Sequence, residues 1–350
     1  MRMDIAAQTD IGRHKKNNED YYGIFREDTP GLQLFDEGAL LCVADGLGGH
    51  VGGEIASKLA VSVFKDCLKE ARPSLDALPP APEPSGEGDQ APARDPYDEA
   101  VLSILRNAIV RANDSIFQTN RDVIRSVRPM GTTFLGALVL KHKVYVATVG
   151  DSRFCLFRDN NIVAMTEDHS WVDEQVKLGL MSRAEAESDT RRNIVTRCIG
   201  THAEVAVDTY VWDLQQGDKL LLCTDGLINM VKDADIRDLF SVRAPAADLA
   251  HRLVNQANEN GGRDNITVIV AYVRPNLWHF LAIHWTSLKR RHGKKILWTM
   301  ITLLLCTLSF FGGYCVREFN LLNIPLPRSL GEILHHPTPL GTDEPSSLPY

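Results

Sequence analysis

The feature that constrains this chain most is an aspartate set four times at the junction of an apolar run and a loop. Asp45 closes Ala-Leu-Leu-Cys-Val-Ala, Asp151 follows Val-Tyr-Val-Ala-Thr-Val-Gly, Asp225 follows Lys-Leu-Leu-Leu-Cys-Thr, and Asp264 precedes Asn-Ile-Thr-Val-Ile-Val. In an antiparallel sheet the end of one strand lies beside the start of its neighbour, so all four carboxylates can collect at one edge. Such a cluster repels itself unless a cation sits within it. An all-oxygen donor set favours Mg²⁺ or Mn²⁺ over zinc, and metal centres of that kind hydrolyse phosphate esters. Taken alone, Asp45-Gly46 or Asp225-Gly226 is more often a plain turn; the repetition carries the argument. Asp45 is the best candidate to bridge two ions, with the Gly46 carbonyl free to approach one closely because glycine has no side chain. Asp20, closing Asn17-Asn18-Glu19-Asp20, either holds water at such a centre or belongs to a solvated acidic loop.

A net charge of −7 and the lack of a basic stripe in the first 270 residues argue against nucleic acid as a partner. The seven cysteines are scattered with no Cys-x-x-Cys pair, so neither a zinc site nor a disulfide framework is indicated. Cys42 and Cys223, inside apolar runs, read as small core residues. Residues 296–316 form 21 positions without a charge, long enough as a helix to cross a bilayer, with Trp298 and Tyr314 near the ends. The basic run Lys289-Arg290-Arg291-His292-Gly293-Lys294-Lys295 precedes it, and the positive-inside rule then places residues 1–295 in the cytoplasm. A buried core helix is the alternative.

Strands are expected near 20–25, 39–44, 132–140, 143–149, 153–158, 161–165, 204–212, 219–223 and 265–273. Helices are expected near 54–70, with Ile55, Leu59, Val63 and Leu68 as its apolar side, and near 97–119, 233–240 and 245–259; 171–192 reads as a polar helical stretch. Residues 72–96 hold seven prolines and no apolar periodicity, the pattern of a flexible insertion between two helices. Strands follow strands and helices come in pairs, so the expected fold is α+β: a central sandwich of two mainly antiparallel sheets flanked by helix pairs, with one C-terminal transmembrane helix. The domain plan is 1–273 catalytic, 274–295 a basic juxtamembrane linker, 296–316 the span and 317–350 a short tail.

Seven segments in order carry a resemblance. They are Thr9-Asp10-Ile-Gly12 with Asn18-Glu19-Asp20; Ala44-Asp45-Gly46-Leu47-Gly48-Gly49-His50 with Gly53-Glu54; Gly131-Thr132-Thr133; Val149-Gly150-Asp151-Ser152-Arg153; Thr166-Glu-Asp168-His169-Ser170; Thr224-Asp225-Gly226-Leu227; and Gly262-Arg-Asp264-Asn265-Ile-Thr267. Over residues 5 to 273 the chain resembles the PPM (type 2C) metal-dependent serine/threonine protein phosphatases, bacterial type. The resemblance implies hydrolysis of phosphoserine and phosphothreonine by a hydroxide bridging two Mg²⁺ or Mn²⁺ ions. Asp45, Asp225 and Asp264 would bind the pair with Gly46 contributing its carbonyl, Asp20 would hold metal-bound water, and Asp151 matches the aspartate of a third, weaker ion. Asn265 would hold Asp264 in place. The stretch 171–192 matches the family's mobile flap, and Arg192-Asn193-Ile-Val-Thr196-Arg197 continues that match.

There are two departures. Where the family has a phosphate-gripping arginine this chain has Lys15, a point charge without the fork geometry, with Arg13 two residues earlier as the other candidate. Where eukaryotic members carry a proposed acid histidine after Asp-Gly it has Leu47, and His50 belongs to the glycine-rich turn. The expected partners are phosphoproteins, a membrane Ser/Thr kinase among them by analogy, and the membrane through 296–316. The expected location is the bacterial inner membrane, phosphatase domain inward. Two other readings are a catalytically weak docking module, which Lys15 alone supports, and a nucleotide or sugar phosphatase, for which no base-binding loop stands out.

Overall fold

The computed structural model describes residues 3–26, 38–48, 51–76, 95–122 and 129–274. Strands β1 (Met3–Asp10), β2 (Tyr21–Arg26), β3 (Gly38–Ala44) and the two-residue β4 (Gly46–Leu47) precede the long helices α1 (Val51–Asp76) and α2 (Pro96–Asp122). Next come β5 (Gly131–Thr132), β6 (Phe134–Leu140), β7 (Lys143–Val149), β8 (Arg153–Arg158) and β9 (Asn161–Met165), then the short helices α3 (Trp171–Lys177) and α4 (Arg183–Ser188). Strands β10 (Asp208–Asp213) and β11 (Lys219–Cys223), helices α5 (Asp225–Ile228), α6 (Asp233–Ser241) and α7 (Ala246–Glu259), and strand β12 (Ile266–Val273) follow.

Two five-stranded antiparallel sheets result, in the orders β1-β12-β11-β8-β9 and β10-β7-β6-β3-β2; β4 and β5 pair separately. The alternation of side chains along a strand sorts the core into three layers. In β3, Leu40, Cys42 and Ala44 face α1 and α2, while Ala39, Leu41 and Val43 face the other sheet. In β11, Leu221 and Cys223 face α6 and α7, while Leu220 and Leu222 face the sheet of β3, β6 and β7. Strands covered on both sides must be apolar at every position, which is why they read as unbroken runs. This is the expected α+β sandwich with helices outside. Asp95 caps α2, its carboxylate accepting the Tyr97 backbone N–H at 2.9 Å, and Pro96 enters at the first helical position, where a missing N–H costs nothing.

Four expectations need correction. Strand β1 is additional to the expected strands: every position is half-buried and alanine has little strand preference, so only its pairing with β12, Met3↔Val273 to Asp10↔Ile266, defines it. Helix α1 runs to Asp76, through Pro73 and into the expected insertion. Its buried face is Ala56, Ala60, Val61, Phe64 and Leu68, with Leu59 and Val63 packed partly buried beside it as expected; Ile55 alone of the expected side is off the core, 44% exposed. Strand β10 begins at Asp208 rather than 204, since Asp208 pairs with Thr148 and the partner strand ends one residue later.

The strands carrying the key aspartates end or begin at one edge. Cys223 at the end of β11 pairs with Val268 near the start of β12, and Val149 at the end of β7 pairs with Phe134 at the start of β6. His50, most of the proline-rich insertion and residues 275–350, with the expected linker, span and tail, lie outside the described residues. Among the described residues no helix is long and apolar enough to cross a membrane.

Candidate active site

The site is built on backbone clamps. Thr133 accepts the Asp45 N–H on its hydroxyl at 3.0 Å and donates its own N–H to the Asp45 carbonyl at 2.9 Å; the Thr132 hydroxyl donates to the same carbonyl at 2.8 Å. The Thr133 hydroxyl also meets Ser152 Oγ at 2.7 Å, tying Asp45 to the loop of Asp151. Gly46 has no room for a side chain: a Cβ there would meet the Gly53 carbonyl at 2.3 Å. Its N–H donates to the Glu19 carbonyl at 3.2 Å, which docks β4 on the loop leading to Asp20.

Asn265 organises the opposite side. Its backbone N–H donates to Asp264 Oδ1 at 2.8 Å. Its side-chain amide donates to the carbonyls of Ile11 and Asn17, both at 2.9 Å, and its Oδ1 accepts the Glu19 N–H at 2.8 Å. The loop carrying Arg13 and Lys15 is thus laid against Asp264. Arg13 donates its backbone N–H to the Gly262 carbonyl at 2.6 Å, with its side chain exposed, and Gly12, at φ +81°, packs on the Asp264 carbonyl where a Cβ would fall at 2.2 Å. Lys15 Nζ forms an ion pair with Asp264 Oδ1. Burial works against the Lys15 charge, but the bond to Asp264 and the fields of Asp45 and Glu19 more than offset it and raise the lysine pKa.

The five aspartates stand within electrostatic reach of one another. Asp45 is pushed well above the usual carboxylate range by loss of water, then by the charges of Asp20, Asp225, Asp151 and Asp264. Asp20, 7% exposed, is pushed up to about 7 by burial, reinforced by Asp225 and Asp264, although the Thr224 hydroxyl donates to its Oδ2 at 2.9 Å. Asp225 is pushed up to about 6 by burial and then Asp264. Asp151 is raised well above its ordinary value by burial, then Asp225 and Asp168. Four carboxyls shifted the same way share one first cause, burial away from water, to which the gathered negative charge adds.

Whether divalent ions suit this donor set is decided by two orphaned atoms. Asp20 Oδ1 and Asp225 Oδ1 are buried with no hydrogen-bond partner, although Asn229 Nδ2 donates to the other Asp225 oxygen at 3.0 Å. Buried carboxylate oxygens left bare are costly, and a hard cation is the partner that such oxygens suit. The set is gathered but not closed. Among the described residues no three His, Cys, Asp or Glu side chains already form a metal-holding group, as expected where like charges repel and Lys15 draws Asp264 to itself. The residues fit the ions in type, and the strand ends bring them to one edge.

Comparison with known proteins agrees. Residues 17–270 match the family model described as protein phosphatase 2C. The chain belongs to the protein phosphatase 2C family. The serine/threonine phosphatase stp of Listeria welshimeri is 35% identical over 268 residues, 77% of this chain and 95% of the relative. A solved serine/threonine phosphatase of S. agalactiae matches with a TM-score of 0.61 and 31% identity, covering 78% of this chain and 100% of that one. The catalytic domain of the serine/threonine protein phosphatase PstP, solved in complex with two manganese ions, matches with a TM-score of 0.59 and 29% identity, covering 78% of this chain and 99% of that one. Family and fold make this chain an enzyme, a bacterial-type PP2C serine/threonine phosphatase.

Sequence reasoning gave no role to several residues that position this PP2C site. Thr133 and Ser152 join the two aspartate loops. Arg153 holds the buried Asp168 through two bonds, one of them Nε to Oδ1 at 3.2 Å. His169 accepts the Gly150 N–H on Nδ1 at 3.0 Å, so its Nε2 carries the proton and faces Asp208 Oδ2 at 3.0 Å. All four sit in the motifs that carry the resemblance; the signal was present, but pairings across the fold cannot be read from spacing. The stretch 171–192 folds as two capped short helices, with Ser170 accepting the Asp173 N–H and a Ser182–Glu185 capping box. Arg191 stacks on Trp171 with 3.7 Å to the ring centroid.

Proposed function

We propose that this phosphatase hydrolyses phosphoserine and phosphothreonine in proteins in a Mg²⁺- or Mn²⁺-dependent reaction. The observation that carries the reading is the gathered set of Asp20, Asp45, Asp151, Asp225 and Asp264 with two bare buried oxygens. Asp45, Asp225, Asp264 and the Gly46 carbonyl would hold two ions, and Asp151 would serve a third. When bound, the ions supply a water-derived nucleophile at neutral pH and neutralise the phosphoryl oxygens. Around them the chain does the positioning. Asp20, fixed by Thr224, orders water at the site. Lys15, ion-paired with Asp264, would offer its ammonium to the substrate phosphate, and Arg13 stands two residues away as the other candidate. Thr132 and Thr133 lock the Asp45 backbone so the centre needs little rearrangement on binding. Release of phosphate from a phosphothreonine peptide, assayed with Mn²⁺ against chelator, tests this: Asp45→Ala should abolish the Mn²⁺-dependent turnover, and full activity in that variant would overturn the assignment.

The same proposal places the enzyme on the cytoplasmic face of the bacterial inner membrane, anchored by 296–316 and opposing a Ser/Thr kinase; the uncharged run and the basic segment before it are the support. Tethering would raise the local concentration of membrane-bound substrates. Removing residues 289–350 should move the protein to the soluble fraction with peptide hydrolysis retained, and a truncated protein that still pellets with membranes would refute the anchor.

A further inference from the structure

Against the aspartate cluster lies a cleft of about 40 Å³, of whose lining the reaction above uses Asp264 alone. It is lined by Arg192 and Asn193, just beyond the α3–α4 segment, by Gly226, Asn229 and Met230, and by Arg263 and Asp264 before β12. It has room for roughly three water-sized groups, enough for a small charged head. Arg263 is exposed, and no hydrogen bond or ion pair engages it among the described residues. Lys15, by contrast, is spent on Asp264, and the Asn229 amide on Asp225.

In a chain of net charge −7, a cleft against the aspartate cluster therefore carries the Arg263 guanidinium, which has no partner among the described residues, with Arg192 in the same lining. A planar fork of donors suits a carboxylate or phosphate. The cleft shares Asp264 with the proposed metal centre, and an extended peptide advances ~3.3–3.6 Å per residue, so an anion seated here belongs to a side chain one or two positions from the scissile phosphate.

We infer that the Arg192–Arg263 cleft is a specificity subsite for an anionic side chain flanking the phosphorylated residue. The inference rests on the phosphatase reading and deepens it by naming the substrate class: acidic or multiply phosphorylated segments rather than neutral ones.

The test compares kcat/KM with Mn²⁺ for phosphothreonine peptides that differ only at the two positions on either side: alanine throughout, one glutamate, one further phosphothreonine, or one lysine. The wild type should favour the anionic peptides roughly three- to tenfold, the scale of partly exposed charge pairs, chiefly through KM and less at high salt. Glutamate and phosphothreonine arms separate a carboxylate ligand from a phosphate; a gain in either supports the subsite. Arg263→Ala should bring the ratio close to one, and Arg263→Glu should turn it toward the lysine peptide. Equal handling of all peptides by the wild type, or an acidic preference that survives Arg263→Glu, overturns the subsite while leaving the phosphatase reading intact. Failure of the wild type to turn over any peptide or an aryl phosphate overturns that reading and the subsite with it.

Discussion

Two sets of buried aspartates in this molecule meet opposite fates. At the far end of β7 from Asp151, Asp98 is 5% exposed and has both oxygens engaged, by Lys143 Nζ at 2.6 Å and the Tyr145 hydroxyl at 2.7 Å. Asp218, 1% exposed, receives Arg158 through two bonds at 2.8 and 2.7 Å and the Gln215 N–H at 2.7 Å. At the active edge, Asp20 and Asp225 each keep a bare buried oxygen, and their carboxyls are pushed toward protonation. The fold can satisfy a buried carboxylate when the carboxylate is there for structure. Where it leaves one unsatisfied, the proposed function supplies the missing partner as a ligand, and the cost is carried by the folded chain.

The sharpest way to break that contrast is to remove one member of each set. Asp225→Ala should cost at least about 10³-fold in Mn²⁺-dependent phosphopeptide hydrolysis, since it deletes a proposed metal ligand from a centre that supplies the nucleophile. Its chelator-treated form should melt no lower than the wild type, because a repelling charge has gone. Asp98→Ala should do the reverse. It strands Lys143, whose side chain is 18% exposed, and should cost about 3 kcal/mol in denaturant unfolding with turnover kept at temperatures where the protein is folded. If Asp98→Ala is neutral and Asp225→Ala unfolds the protein, the contrast fails.

A smaller effect is set by pH. A carboxyl whose folded pKa lies above its unfolded value of about 3.9 holds its proton more tightly when folded. The folded chain therefore loses stability as pH rises from there through about 6 for Asp225 and about 7 for Asp20. Ions that bind the deprotonated cluster undo this loss. The rise in melting temperature on adding Mn²⁺ should be several degrees larger at pH 8 than at pH 5, and an equal rise at both would contradict the charge argument. The smallest change is expected for Lys15→Arg: a guanidinium at that place should lower KM for a phosphopeptide by less than about tenfold, with kcat little altered.

How much of this was legible follows from where each residue's partners lie. Strands β3, β6, β7, β11 and β12 are covered on both faces, so burial alone forced apolar runs, and the aspartates stood out at their ends. β1 is half-buried throughout and defined by a partner at the other end of the described chain, so no local pattern marked it. The grip of Thr133 on Asp45 spans 88 residues and that of Asn265 on the Asn17 carbonyl 248; spacing cannot show either. Nor could it show that Lys15 lies on Asp264, which joins the phosphate-binding candidate to the proposed metal ligands.

Calorimetric titration of Mn²⁺ into the chelator-treated protein bears most directly on the central claim. The wild type should bind at least two ions with release of protons, and Asp225→Asn, of nearly the same shape and without the charge, should lose at least one of them. Binding of the same number of ions with the same affinity by both proteins would contradict the idea that these aspartates are held unsatisfied for a metal.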